Sequence, residues 1–208
     1  MLNTEFIAAQ DPTSRRLLVM LHGLGDSTAG YRWVPALLKL PWLNYLLVNA
    51  PDPYFGGFSW YDFAGDPFPG IARSRQLLFE LLDEKRKAGF PTEQTTFGGF
   101  SQGCLMTWEV GLTYPHLFAG LIGISGYVHD AEKLLAIQSK IAKQQRFLIT
   151  HGSQDQMVPF KPVREQVRQI KSQGIKVEWH EFLKAHTIAG EEEIEVIRKF
   201  IQAGYPQG

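Results

Sequence analysis

The chain has 208 residues, with 21 Lys plus Arg against 21 Asp plus Glu, so its formal net charge is zero. That balance gives no electrostatic reason to expect nucleic acid or an anionic membrane surface as a partner. A single cysteine, Cys104, excludes an intrachain disulfide, and a chain of this length can bury a sizeable core without staples.

The opening "MLNTEFIAAQDPT" lacks the basic start and apolar centre of a secretory signal. The longest apolar runs, such as "LLVML" at 17–21, are far too short to span a bilayer. No repeat, low-complexity tract or charge block divides the sequence, so residues 1–208 are expected to form one cytoplasmic domain with no stable membrane insertion.

Short apolar runs alternate with longer helical patterns. Segments 16–22, 45–50, 94–100, 118–125 and 146–151 are apolar on consecutive residues, as parallel strands covered on both faces should be. Segment 175–182 alternates instead, with Ile175, Val177 and Trp179 on one face and Lys176, Glu178 and His180 on the other. Helices are predicted over 70–88, stopped by Gly89 and Pro91, and over 101–114, ending before Pro115. Two further amphipathic helices are predicted at 162–174 and 191–204, the second with an acidic first turn that suits the helix dipole. Alternating strand and helix predicts an α/β fold with a mainly parallel sheet flanked by helices on both faces. In such sheets chemistry gathers on the loops beyond the carboxyl ends of the strands.

Those loops carry one constellation. Gly99-Phe100-Ser101-Gln102-Gly103 is G-x-S-x-G, placed where a predicted strand meets a predicted helix. That context makes it a candidate nucleophile elbow. Glycines at both positions let the chain turn tightly enough to lift the Ser101 hydroxyl clear of the sheet. The Gln102 amide, at the helix N-terminus, then faces developing negative charge.

A serine hydroxyl needs a base, and the base needs an orienting acceptor. The expected chain order supplies Asp155, in the loop after the 146–151 strand, and His186, between the last strand and the last helix. His180 lies inside that strand and reads as a face residue, while Asp130 is the fallback acceptor. "VMLHGLGDSTAG" leads a strand into Gly23-Leu24-Gly25-Asp26, where the Leu24 N–H is the favoured second oxyanion donor. A phosphate cradle there fails on spacing, because the third glycine would fall on Thr28. His22 is expected to pack or orient this loop, and Cys104 to be a small core residue. No His/Cys/carboxylate cluster has metal spacing, so neither metal nor cofactor is expected.

The stretch "PDPYFGGFSWYDF" (51–63) shows neither strand nor helix periodicity. It reads either as a wall for an apolar acyl or alkyl group, with Phe55, Phe58, Trp60 and Tyr61 as substrate-binding candidates, or as a loop packing its rings inward.

"LHGLGD", "SWYD", "GGFSQG", "HGSQDQMVP" and "AHTI" resemble, in order and spacing, the carboxylesterase/phospholipase family that includes the acyl-protein thioesterases. The likeness runs from about Leu17 to about Phe200. It implies an α/β-hydrolase fold, Ser101 as nucleophile, Asp155 as orienter, His186 as base, and Leu24 and Gln102 as oxyanion amides. Two departures stand out. Ala185 occupies the usual glycine position before the histidine, and the 62–70 segment is shorter than in the eukaryotic thioesterases.

The resulting expectation is a hydrolase of small-molecule esters or acyl thioesters with short to medium acyl chains; a homodimer is left open. The alternatives are a non-catalytic binding module on the same fold, or a true acyl-protein thioesterase or lysophospholipase acting on long chains.

Overall fold

The computed structural model describes residues 1–205; the last three residues of the predicted domain lie outside the described ones. The strands are β1 (Thr4–Ile7), β2 (Leu17–Leu21), β3 (Asn44–Val48), β4 (Asp52–Tyr54), β5 (Gly57–Ser59), β6 (Thr95–Phe100), β7 (Gly120–Ile124), β8 (Arg146–Gly152) and β9 (Lys176–Phe182). The helices are α1 (Val34–Leu38), α2 (Phe68–Lys87), α3 (Gln102–Thr113), α4 (Ala131–Ala136), α5 (Phe160–Ser172) and α6 (Glu191–Ala203). Seven strands form one sheet in the order β1-β3-β2-β6-β7-β8-β9. Every pairing in it is parallel except the β1 edge, which runs antiparallel to β3.

Consecutive apolar residues in β2 explain the layering. Leu17, Val19 and Leu21 point into a core shared with α2, α3, α4 and α5, whereas Leu18 and Met20 point into a second core with α1 and α6. All five are buried, and burying such a side chain fully stabilises the fold by roughly 1.5–3 kcal/mol. A sheet apolar on both faces needs helices on both, and α1 with α6 supply the thinner cover.

The topology places the site. From β2 the chain passes to β3 on one side and then to β6 on the other, so the loops after β2 and β6 open at a switch point in strand order. Leu21 of β2 pairs with Gly99 of β6, which brings the ends of both strands to the same level.

Three features escaped the sequence pattern. β1 spans only four residues of mixed polarity, and α1 and α4 span five and six, too few for a helical period to register. The aromatic 51–63 stretch contains a regular element after all: β4 and β5 form a two-stranded hairpin. Its three-residue strands are too short to display alternation. Phe55 and Gly56 form the turn with φ of 43° and 88°, the backbone of a type I′ turn.

Candidate active site

Ser101 sits on the turn between β6 and α3 with φ 55° and ψ −114°, a conformation that side-chain-bearing residues rarely adopt. Its surroundings enforce it. Ser101 N–H donates to Ile124 O at 2.9 Å, and Ser101 O accepts from Cys104 and Leu105 N–H as the first carbonyl of α3. A Cβ on Gly99 would lie 2.5 Å from the Gly103 backbone, and one on Gly103 would lie 2.5 Å from Leu21 O. The two glycines flanking the serine are therefore the contact between β6, α3 and the end of β2.

His186 and Asp155 converge on that serine. His186 is the central residue of a three-residue turn closed by Thr187 N–H to Ala185 O at 2.8 Å. Its Nδ1 meets Asp155 Oδ2 at 2.8 Å and its Nε2 meets Ser101 Oγ at 2.9 Å. With the aspartate as acceptor, Nδ1 carries the imidazole proton and Nε2 is left to accept from the serine hydroxyl. Asp155 itself is held: Oδ1 accepts from Met157 N–H at 3.0 Å and Val158 N–H at 2.8 Å, and its side chain is out of water.

Two neighbours brace these loops. His151, at the end of β8, meets Val158 O through Nε2 at 2.9 Å and stacks on Trp179; burial pushes its pKa down, so it stays neutral behind Asp155. Lys184 Nζ donates to Glu193 Oε1 at 2.6 Å, while Glu193 Oε2 accepts from Ala189 N–H at 2.5 Å. One carboxylate thus grips the histidine loop on both sides of His186. Sequence reading missed both residues. The acidic start of α6 reads as a solvated, dipole-matched turn, and nothing in the pattern marks Glu193 as buried.

On the β2 loop, Gly25 N–H donates to Phe58 O and Asp26 N–H to Gly23 O, whereas Leu24 N–H has no backbone acceptor among the described residues. Leu24 and Gln102 line one 250 Å³ cavity with Ser101 and His186. His22 cannot serve as a proton carrier, since both ring nitrogens are occupied. Nδ1 meets Gly23 O at 2.6 Å and Nε2 accepts from Ala50 N–H at 3.0 Å, with the ring buried and its pKa lowered by that burial. The other side chains weighed from sequence lie elsewhere. Asp130 caps α4 through Lys133 N–H, and His180 pairs with Glu178 on the outer face of β9. Cys104 is fully buried, its thiol pushed up to about 12 by that burial.

Of the four aromatic candidates, Phe55, Phe58 and Trp60 need correction. Only Tyr61 lines the cavity beside Ser101. Phe55 projects from the hairpin turn at 95% exposure, because its left-handed backbone aims the ring outward. Phe58 bridges to Asp26 and packs on the core, fixing the β2 loop. Trp60 is completely buried; its indole N–H donates to His22 O and its own N–H to the Gln102 side chain. These residues build the loops rather than the wall. The wall comes instead from Phe63, Phe100, Tyr127, Met157 and Val158. Phe63 stood in the aromatic stretch, Phe100 inside the G-x-S-x-G motif, and Tyr127, Met157 and Val158 on loops after β7 and β8, where the strand-end rule points.

The chain matches the phospholipase/carboxylesterase family model over residues 2–204. It is 33% identical over 159 residues to acyl-protein thioesterase 1 of Schizosaccharomyces pombe, covering 68% of this chain and 69% of that protein. Among solved structures it is similar to esterase PE8, with 26% identity, a TM-score of 0.84 and coverage of 97% and 98% of the two chains. A phospholipase/carboxylesterase from Dyadobacter fermentans superposes with a TM-score of 0.79 at 26% identity, covering 97% of this chain and 95% of that one. With an α/β-hydrolase sheet, a serine on the turn after its central strand and a family match across nearly its whole length, this chain belongs to the phospholipase/carboxylesterase family of hydrolases.

Proposed function

We propose that the protein hydrolyses carboxylic esters and acyl thioesters through a covalent acyl-serine, with Ser101, His186 and Asp155 as its working residues. The observation that carries this reading is the unbroken chain of hydrogen bonds from Asp155 through His186 to Ser101, 2.8 and 2.9 Å long. Ser101 Oγ attacks the carbonyl carbon as His186 Nε2 takes its proton. Asp155 keeps the imidazole in one orientation and offsets its transient positive charge. The oxyanion forms against the Leu24 and Gln102 amides. Collapse breaks the bond to the alcohol or thiol, which leaves with the proton from His186. Water then repeats the sequence on the acyl-serine and releases the acid. We read residues 1–208 as one domain, since both apolar layers share a single sheet.

The acyl half belongs in the cavity around Ser101. Its volume of 250 Å³ lies below the ~300–1,000 Å³ usual for small-molecule pockets. Its outer wall is thin, with Phe63 64% and Met157 73% exposed. Each methylene that finds cover should raise kcat/KM by about fourfold, and those beyond the walls should add nothing. A series of p-nitrophenyl esters from acetate to palmitate, assayed below micelle formation, tests this. We expect a climb over the first few carbons and then a plateau or fall. A steady rise to palmitate would favour the alternative expectation from sequence, an acyl-protein thioesterase or lysophospholipase acting on long chains.

A further inference from the structure

A second cavity of 370 Å³ meets the Ser101 cavity along Asp26, Phe100 and His186 but contains neither the serine nor the oxyanion amides. Its far walls include Tyr31, Trp33 and Ile188. The reaction proposed above decides what can occupy it. Nε2 of His186 must hand a proton to the departing oxygen or sulfur, so the leaving half of the substrate has to lie on the histidine side, away from the acyl cavity.

The chemistry of these walls is one-sided. Neither cavity is lined by a lysine or arginine, and Asp26 lines both. Its Oδ1 accepts from Ser27 N–H at 2.7 Å, and none of the ion pairs among the described residues involves it. Trp33 is half-buried, its indole N–H anchored on Gly30 O at 2.7 Å and its ring stacked on buried Tyr31 at 6.2 Å, which holds an aromatic surface in the cavity. An unpaired carboxylate beside fixed aromatic faces favours a cation, above all a poorly hydrated one, and repels an anion.

We propose that this cavity is a leaving-group subsite that selects esters and thioesters of cationic alcohols or thiols over their neutral and anionic counterparts. The proposal rests on the hydrolase reading above. It disfavours substrates whose leaving half is phosphorylated or carboxylated, since among the described residues no lysine or arginine lines either cavity to receive such a group.

The test uses three thioacetates that share the acyl group: acetylthiocholine, its neutral isostere S-(3,3-dimethylbutyl) thioacetate, and the anionic S-acetyl-3-mercaptopropanoate. The expected order of kcat/KM is cation, neutral, anion, with the first two separated by about tenfold. Asp26→Asn should bring the cation-to-neutral ratio close to one, whatever happens to the absolute rates. Trp33→Ala should raise KM for acetylthiocholine more than it lowers kcat. Hydrolysis of all three at similar rates, an anion preference, or a ratio unchanged in Asp26→Asn would overturn the subsite while leaving the hydrolase reading intact. Absence of turnover with all three, together with no turnover of p-nitrophenyl acetate, would overturn both.

Discussion

Lys184 and Glu193 form an ion pair whose side chains are only 3% and 0% exposed, and the pair closes the loop that carries His186. Burial pulls the Lys184 pKa down, and Glu193 opposes that fall. Removing one partner strands the other charge in the core. Lys184→Met should therefore cost about 3–5 kcal/mol, measured as a lower urea midpoint at unchanged slope. Lys184→Met with Glu193→Leu should regain most of that stability but not the activity, because Ala189 N–H has then lost its acceptor. A loss below about 1 kcal/mol in the single variant would mean that water reaches the pair.

The elbow glycines offer a second test. Gly103→Ala would push a methyl group onto Leu21 O, His22 O and the Leu21 side chain, two of them backbone atoms that cannot step aside. Overpacking of this kind costs about 1–3 kcal/mol. Ser101 must shift with α3, so esterase activity should fall further than stability does. Parallel urea titration and p-nitrophenyl butyrate assays would show the difference. An active Gly103→Ala enzyme would mean that the turn tolerates a looser geometry than its contacts describe.

Stability should fall on the acid side for an identifiable reason. His22 and His151 both have pKa values lowered by burial, so in the folded state they resist protonation. The unfolded chain takes up those protons below about pH 6.5, and each contributes a slope of up to about 1.4 kcal/mol per pH unit. The contribution is complete above the unfolded value and is lost as the pH drops toward the lowered folded values. Thermal melts from pH 8 to pH 5 should show this fall, and His22→Asn should flatten it while lowering Tm at pH 8. Equal slopes in the variant and the parent would remove His22 from the explanation.

Asp155→Asn keeps shape but changes chemistry. An amide can donate to His186 Nδ1 and so select the wrong tautomer, with Nε2 protonated and unable to accept from Ser101. kcat should fall on the order of 10³–10⁴-fold, with KM nearly unchanged. Far-ultraviolet circular dichroism should match the parent. Full activity in this variant would shift the orienting role to another acceptor.

The parts of the fold visible in the sequence were those written in long patterns. Six strands of the main sheet and the four longer helices announce themselves by consecutive or alternating apolar residues, and the elbow by glycines that only a tight turn requires. That Ser101, Asp155 and His186 meet was legible because each follows a strand end in a fixed order. Phe55, Phe58 and Trp60 were misjudged because composition does not tell which way a ring points. A two-residue turn throws Phe55 outward, while hydrogen bonds to His22 and Gln102 draw Trp60 in. Lys184 and Glu193 were invisible for a related reason: charged residues read as surface until the fold shows them facing each other.

The most direct measurement is covalent labelling of Ser101. Purified protein should react stoichiometrically with a fluorophosphonate probe, with the adduct located on Ser101 by peptide mass spectrometry. Ser101→Ala should fold normally, take no label and lose nearly all hydrolysis of p-nitrophenyl butyrate. Labelling at another residue, or parent-like turnover by Ser101→Ala, would contradict the account.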